Sequence, residues 1–191
     1  MSTPYEFLVG LALGFSLTVP PGPMNALIAS RSVGSFRRGV ITGLGAMSAD
    51  LLLGVAVYLL QSSIDIESVV RFVYVLGCGI MAYFGYRLLS PPSIAPAAES
   101  GGLATYSAAL AVGLSNPFQI LWWLTAGLAF AYLGGLVLFA GLFGAIAVWI
   151  LIFPYLIRSG VQRYPRLGRV VTFASGGVMV AFAVYFAWLA L

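Results

Sequence analysis

Long apolar stretches dominate this sequence and limit what it can fold into. An α-helix rises about 1.5 Å per residue and the hydrocarbon core of a bilayer is about 30 Å thick, so a membrane span needs roughly 20 residues. Six stretches reach that length between segments rich in Arg, Pro or Gly: residues 5–30, 39–60, 67–89, 103–130, 132–157 and 168–191. The sequence therefore predicts an all-α polytopic membrane protein with six transmembrane helices, in a single domain over residues 1–191.

The composition excludes several classes of protein. Only 7% of the 191 residues are charged, whereas soluble proteins average about 25%. The chain has no His and only one Cys, Cys78, so it lacks the commonest proton shuttle and metal ligand and cannot form an internal disulfide or a CxxC redox pair. We expect no enzymatic activity, no cofactor, no metal site and no nucleic-acid partner. A membrane hydrolase and a disulfide redox carrier are both disfavoured.

The arginines predict the orientation of the spans. Eight of the nine basic residues fall on the first, third and fifth connections: Arg31, Arg37, Arg38, Arg87, Arg158, Arg163, Arg166 and Arg169. Because basic residues concentrate on the cytoplasmic side, we expect loops 31–38, 87–103 and 158–169 in the cytoplasm and both termini outside. An alternative role for one or two of these arginines is binding of substrate or lipid head groups.

A polar linker at residues 91–102 divides the chain into two halves, residues 1–90 and 103–191. Each half has three predicted spans, and an odd number of spans forces the second half to enter the membrane upside down. The sequence thus predicts two inverted three-helix repeats, an arrangement typical of secondary transporters.

The first span of each half contains a helix-breaking pattern. Pro20, Pro21 and Pro23 lie in the first, and Asn116-Pro117 lies in the second. Proline removes a backbone N–H and frees the carbonyl four residues earlier, while Asn followed by Pro is typical of an N-cap and the first helical residue. Two breaks in corresponding places favour a binding site, because irregular backbone survives in a membrane only inside protein or beside a cavity. The alternative is a pair of packing kinks.

Asp50 is the only ionisable residue predicted deep within a span. It is the twelfth residue of the second span, which places it roughly 16 Å into the bilayer. Such a residue is costly and is by default a functional candidate facing the bundle interior. We predict that Asp50 binds the coupling proton; the alternative is a structural Asp that is hydrogen-bonded to backbone amides.

Two motifs resemble those of a known family. The Pro-Gly-Pro-Met-Asn run at 21–25, followed by Gly39, Gly43 and the Ser-Ala-Asp run at 48–50, resembles the N-terminal signature of the lysine-exporter (LysE/RhtB) family of translocators. Asn116-Pro117, followed by Ile-Leu-Trp-Trp at 120–123, resembles its second motif. Two positions depart from the family pattern: Ala49 where Gly is usual, and Phe118 where a basic residue often follows. The resemblance implies six transmembrane helices, a cytoplasmic-membrane location and export of amino acids driven by the proton-motive force.

These observations predict a secondary active transporter that exports amino acids or related small zwitterions by proton antiport. Backbone N–H groups at Met24, Asn25 and Ala26, and at Phe118 and Gln119, would bind the substrate carboxylate. The substrate-binding candidates are the residues of the two breaks and a tryptophan after the second: Pro21, Gly22, Pro23, Met24, Asn25, Asn116, Pro117, Phe118, Gln119 and Trp122. The expected partners are a small-molecule substrate and the lipid bilayer, and a homodimer stays open. The alternatives are an exporter of a cation or another small metabolite, and a passive channel.

Overall fold

The described part of the chain consists of α-helices joined by short connections. A computed structural model describes residues 3–60, 66–90, 101–124 and 135–190. Within these ranges the helices are α1 (Thr3–Thr18), α2 (Pro23–Gly34), α3 (Phe36–Leu60), α4 (Ile66–Leu89), α5 (Gly102–Leu114), α6 (Pro117–Trp122), α7 (Leu136–Arg163) and α8 (Arg166–Ala190). The predicted all-α class is confirmed for these residues, and the predicted linker 91–102 lies mostly outside them.

Three of the described helices are long and apolar enough to cross a membrane. They are α3, α7 and α8, with mean hydropathies of 1.9, 2.7 and 1.9. α1 and α2 meet the same criterion together, although they are bent by 76° at their junction. Two shorter apolar helices, Tyr74–Leu89 and Gly102–Leu114, lie at the third and fourth predicted spans. The described residues therefore contain up to four spans by length and composition, where six were predicted.

Both predicted helix breaks are present. α1 ends at Thr18 and α2 begins at Pro23, and we call residues 19–22 the first break. α5 ends at Leu114 and α6 begins at Pro117, and we call residues 115–116 the second break. Proline is the first helical residue after each break, where its missing N–H removes no helical hydrogen bond.

The helices pack in pairs that bring the two breaks together. α1 lies along α7, α3 along α5, and α4 along α8, while α2 packs against α3, α7 and α8. One apolar cluster is centred on α7, with Leu142 and Ile146 fully buried; a second joins α4, α5 and α8 around Met81 and Met179. Residues of both breaks line one cavity between these helices.

Glycines permit the closest of these approaches. A Cβ built on Gly14 would lie 2.5 Å from the carbonyl oxygen of Leu142, and one on Gly43 would lie 2.6 Å from the Cβ of Ile150. Real side-chain atoms cannot approach this closely, so α7 packs directly on the backbones of α1 and α3.

The predicted arginine-rich loops are shorter than expected. α2 ends at Gly34 and α3 begins at Phe36, so Ser35 alone separates them. α7 continues to Arg163 and α8 begins at Arg166, so the fifth connection is two residues long. The prediction of loops at 31–38 and 158–169 was wrong because Arg is a good helix former whose long side chain carries its charge away from the helix axis. Arg158 instead donates a hydrogen bond of 2.6 Å to the carbonyl of Val33 at the end of α2.

Candidate functional site

A cavity of about 200 Å³ lies where the two breaks meet. It is bounded by α1, α2, α3, α6 and α7. Its lining residues are Ser16, Leu17, Thr18, Pro20, Pro21, Gly22, Pro23, Met24, Asn25, Ile28, Ala46, Asp50, Asn116, Phe118, Gln119, Trp122, Ile146, Trp149 and Ile150. The structure thus brings together Asp50 and nine of the ten predicted binding residues.

Pro117 and Phe118 depart from the prediction in different ways. Pro117 is absent from the cavity wall and packs against α4, where a Cβ built on Gly77 would lie 2.7 Å from its Cδ. Its place among the predicted binding residues is therefore not supported by the geometry. Phe118 borders the cavity but is 54% exposed, and its ring packs edge-on against Phe182 of α8, with centroids 5.4 Å apart.

Asn25 closes the first break with its side chain. Its Nδ2 donates to the carbonyls of Thr18 and Pro20, at 2.6 and 2.9 Å. Its Oδ1 accepts from the indole Nε1 of Trp149 on α7, at 3.1 Å. Both donors and the acceptor of the amide are thus used by the protein, and they fix the end of α1, the start of α2 and one face of α7 relative to one another.

The start of α2 leaves backbone donors unpaired. Gly22, its N-cap residue, provides no side-chain cap. The N–H of Ala26 already donates to Gly22, at 2.9 Å. Within the described residues, the N–H groups of Met24 and Asn25 have no hydrogen-bond acceptor, and both residues line the cavity. The expectation of free amides after the first break holds for these two residues and is wrong for Ala26.

Asn116 pairs the corresponding amides of the second break. Its side-chain Oδ1 accepts from the N–H of Phe118 at 3.2 Å, and its carbonyl accepts from the N–H groups of Gln119 and Ile120 at 3.0 Å. The predicted N-cap is confirmed, and the prediction that these amides are free for a ligand was wrong. The N–H of Asn116 also bonds to Gly113, at 3.2 Å, so the carbonyl that Pro117 releases does not stay unpaired.

The side-chain NH₂ group of Asn116 faces the cavity. Asn116 is only 4% exposed, and its Oδ1 is identified by the bond that it accepts from Phe118. The remaining Nδ2 has no hydrogen-bond partner among the described residues, and it is not enclosed by protein atoms. The second break therefore offers a side-chain donor where backbone donors were expected.

Asp50 lies at the cavity with 4% of its surface exposed. Its Oδ1 accepts from the indole Nε1 of Trp123 at 3.0 Å, and the Gln119 side chain is a second hydrogen-bonding neighbour. Gln119 also donates to the carbonyl of Ala46, one turn earlier on α3, at 3.4 Å. A buried carboxylate in this position can exchange a proton or pair with a cation.

Trp123 is the residue that our sequence reasoning did not assign. We predicted its neighbour Trp122, which lines the cavity. Trp123 is 1% exposed and donates a hydrogen bond to Asp50. Its ring covers Gly54, where a built Cβ would lie 2.7 Å from it. The available signal was Gly54, one turn after Asp50, since a glycine there makes room for a large ring.

Within the described residues, no three His, Cys, Asp or Glu side chains lie close enough to hold a metal ion. A wider groove of about 570 Å³ lies between α4 and α8, but apolar residues such as Ala82, Val180 and Val184 dominate its lining. The cavity at the breaks is therefore the candidate with groups that can bind a charged ligand.

Comparison with known proteins adds independent information. A family model described as LysE type translocator matches residues 15–189. The amino acid efflux protein YcgF of Bacillus subtilis is 31% identical over 125 residues, which cover 62% of this chain and 60% of that protein. The chemotactic transduction protein ChpE of Pseudomonas aeruginosa is 30% identical over 160 residues, which cover 75% of this chain and 77% of that protein. No solved structure matches the chain.

Proposed function

Because the chain belongs to the family of LysE type translocators, we propose that it exports amino acids or related small zwitterions across the cytoplasmic membrane, by proton antiport. Its similarity to an amino acid efflux protein supports this substrate class. The observation that carries the finer proposal is the cavity at the two breaks, which combines unpaired amide donors with one buried carboxylate. A zwitterion requires both kinds of group.

The substrate carboxylate binds to donors from both breaks. The N–H groups of Met24 and Asn25 lie at the N-terminus of a 12-residue helix, where aligned peptide dipoles add a partial positive charge. The Nδ2 of Asn116, at the second break, supplies a further donor. A carboxylate has two oxygens and can accept from the donors of both breaks at once.

Asp50 binds the substrate ammonium group and the proton in turn. When the cavity opens to the outside, the carboxylate takes up a proton; when the cavity opens to the cytoplasm, it releases that proton as the ammonium group of the substrate arrives. One carboxylate that accepts either partner but not both couples their movements in opposite directions. The position of Asp50 near the middle of α3, about 21 Å from its first residue, supports access from either side.

The packing of the helices supports two inverted repeats within six spans. Exchanging the first, second and third spans with the fourth, fifth and sixth maps the α1–α7 pair onto the α5–α3 pair, and maps α4–α8 onto itself. The two indole bonds join pairs of spans that this exchange relates, with donor and acceptor reversed: Trp149 of the fifth span donates to Asn25 of the first, and Trp123 of the fourth span donates to Asp50 of the second. Both termini outside would follow from the arginine distribution.

The proposal can be tested with purified protein in proteoliposomes that have an acidic lumen. Antiport should drive labelled leucine into the lumen above its external concentration. Asp50→Asn keeps the size of the side chain and an acceptor for Trp123 but cannot titrate. We expect this variant to lose accumulation driven by the pH gradient and to keep slow leucine exchange.

Three other outcomes of this experiment would each contradict part of the proposal. Accumulation at the wild-type level by Asp50→Asn would show that Asp50 is structural and would refute the proposed coupling. Wild-type protein that only equilibrates leucine, whatever the gradient, would be a passive channel. Transport of a simple cation without any amino acid would support the cation-exporter alternative.

A further inference from the structure

The polar side chains around the cavity are largely used by the protein itself. Ser16 and Thr18 donate to carbonyls on the preceding turn of α1, at 2.7 and 2.9 Å. Gln119 donates to the backbone of α3, and Trp149 donates to Asn25. The donors left for a ligand are those that the proposed function assigns to the substrate carboxylate, so few groups stay available for a polar substrate side chain.

Ionisable side chains are also few around the cavity. Asp50 is the one ionisable side chain among its described lining residues. In the proposed function Asp50 pairs with the α-ammonium group, so a second cationic group on the substrate would be desolvated without a counter-charge. A second anionic group would also lack a partner, because no basic side chain lines the cavity in the described structure.

The large aliphatic side chains of the wall come from three helices. Leu17 of α1, Ile28 of α2, and Ile146 and Ile150 of α7 contribute aliphatic side chains. Ile28 and Ile146 are 2% and 1% exposed, so they form a fixed surface. The cavity volume of about 200 Å³ equals that of about seven waters in the liquid, which suits an amino acid close to leucine in size.

We infer that the transported amino acid has an uncharged apolar side chain of about the size of leucine, and that this side chain binds against the aliphatic wall. This inference rests on the proposed function and adds the substrate class. Basic and acidic amino acids are excluded because the cavity offers their side-chain charge no partner.

Norleucine and ornithine form a matched pair of substrates. Both have a three-methylene side chain, and they differ only in a terminal methyl or ammonium group. Initial rates of counterflow in proteoliposomes should give an apparent kcat/KM about 100-fold lower for ornithine than for norleucine, since an unpaired charge at this depth is strongly disfavoured. Equal values for the two substrates would overturn the inference while amino acid transport itself would stand.

Leu17→Glu tests, by gain of function, whether the cavity excludes ornithine because it lacks a second negative charge. Leu17 is partly buried beside the α7 cluster, so a polar residue there can be tolerated. The new carboxylate should raise the apparent kcat/KM for ornithine at least 10-fold relative to Leu17→Gln, its uncharged isostere. Size-exclusion profiles and melting temperatures of both variants show whether the fold is intact.

These transport measurements distinguish failure of the inferred substrate class from failure of the proposed function. If wild-type protein moves neither norleucine nor ornithine nor any other amino acid, the proposed function fails and the inference fails with it. If ornithine or glutamate is moved as efficiently as norleucine, the substrate class alone is wrong. An equal gain of ornithine transport in Leu17→Glu and Leu17→Gln would show that charge at this wall does not govern selection.

Discussion

Asn116→Ser separates the two roles that the structure gives to Asn116. Serine caps a helix about as well as asparagine, so the N–H of Phe118 keeps an acceptor. Serine is too short to replace the Nδ2 group that faces the cavity. The variant therefore removes one proposed donor to the substrate carboxylate while it preserves the start of α6.

The expected loss of affinity for leucine follows from the kind of hydrogen bond that Asn116→Ser removes. A hydrogen bond to a charged group contributes about 1.5–3 kcal/mol, which corresponds to about 10- to 150-fold in affinity. We expect the apparent affinity for leucine, measured by counterflow or by calorimetry in detergent, to fall within that range. Leucinamide has no carboxylate, so its affinity should change less than fivefold.

A structural effect would give a different result. Asn116→Ala loses both the cap and the donor, and its melting temperature should fall below that of Asn116→Ser because a lost N-cap costs about 1 kcal/mol. If Asn116→Ser weakens leucine and leucinamide equally, Asn116 does not bind the carboxylate, and this part of the site assignment is refuted.

Two further predictions concern packing and topology. Gly14→Ala places a Cβ 2.5 Å from the carbonyl oxygen of Leu142, so we expect the free energy of unfolding in detergent to fall by about 1–3 kcal/mol. Gly79→Ala is the control: its Cβ meets no atom within 4 Å, so the free energy of unfolding should stay the same or rise. Equal melting temperatures for these variants would contradict the close α1–α7 packing. In a Cys78→Ala background, Ser35→Cys should react with an impermeant maleimide only from the cytoplasmic side, and labelling in intact cells would reverse the proposed orientation.

Local signals in the sequence predicted the parts of the site that depend on local chemistry. Proline at positions 20, 21 and 23 determines where α1 must stop, and Asn116-Pro117 is a cap signal that needs no tertiary contact. Asp50 was predicted to be buried because the residues around it are apolar. The resemblance to lysine exporters rests on these same motifs and is confirmed by the family match.

The hydrogen bonds around these residues could not be predicted, because they join distant positions. Trp123 and Asp50 are 73 residues apart, and Trp149 and Asn25 are 124 apart. Periodicity assigns residues to helix faces but not to partners, and Gly54 indicates room for a large ring without selecting Trp123 over Trp122. The expected free amides at Phe118 and Gln119 failed for a related reason, since an N-cap that marks a helix start also consumes its first donors.

The hydrogen bonds at the cavity divide into those within one half of the chain and those that join the two halves. The bonds that shape each break stay within one half of the chain: Asn25 binds carbonyls of the first half, and Asn116 caps a helix of the second. At the cavity the halves are joined by the indole bonds of Trp123 to Asp50 and of Trp149 to Asn25, and by the bond of Gln119 to the carbonyl of Ala46. A neutral hydrogen bond contributes about 0.5–1.5 kcal/mol net, and one to a charged group about twice that.

Opening the cavity on one side would break hydrogen bonds and apolar packing between the halves, while the bonds within each break can stay intact. An ammonium group that arrives at Asp50 competes with the Trp123 N–H for the same carboxylate, and so weakens one of those links at the moment of binding. A ligand shifts a conformational equilibrium only by its difference in affinity for the two states. Under the proposed function that difference would arise at Asp50, because the proposal assigns the substrate and the proton to the same carboxylate that accepts the Trp123 bond between the halves.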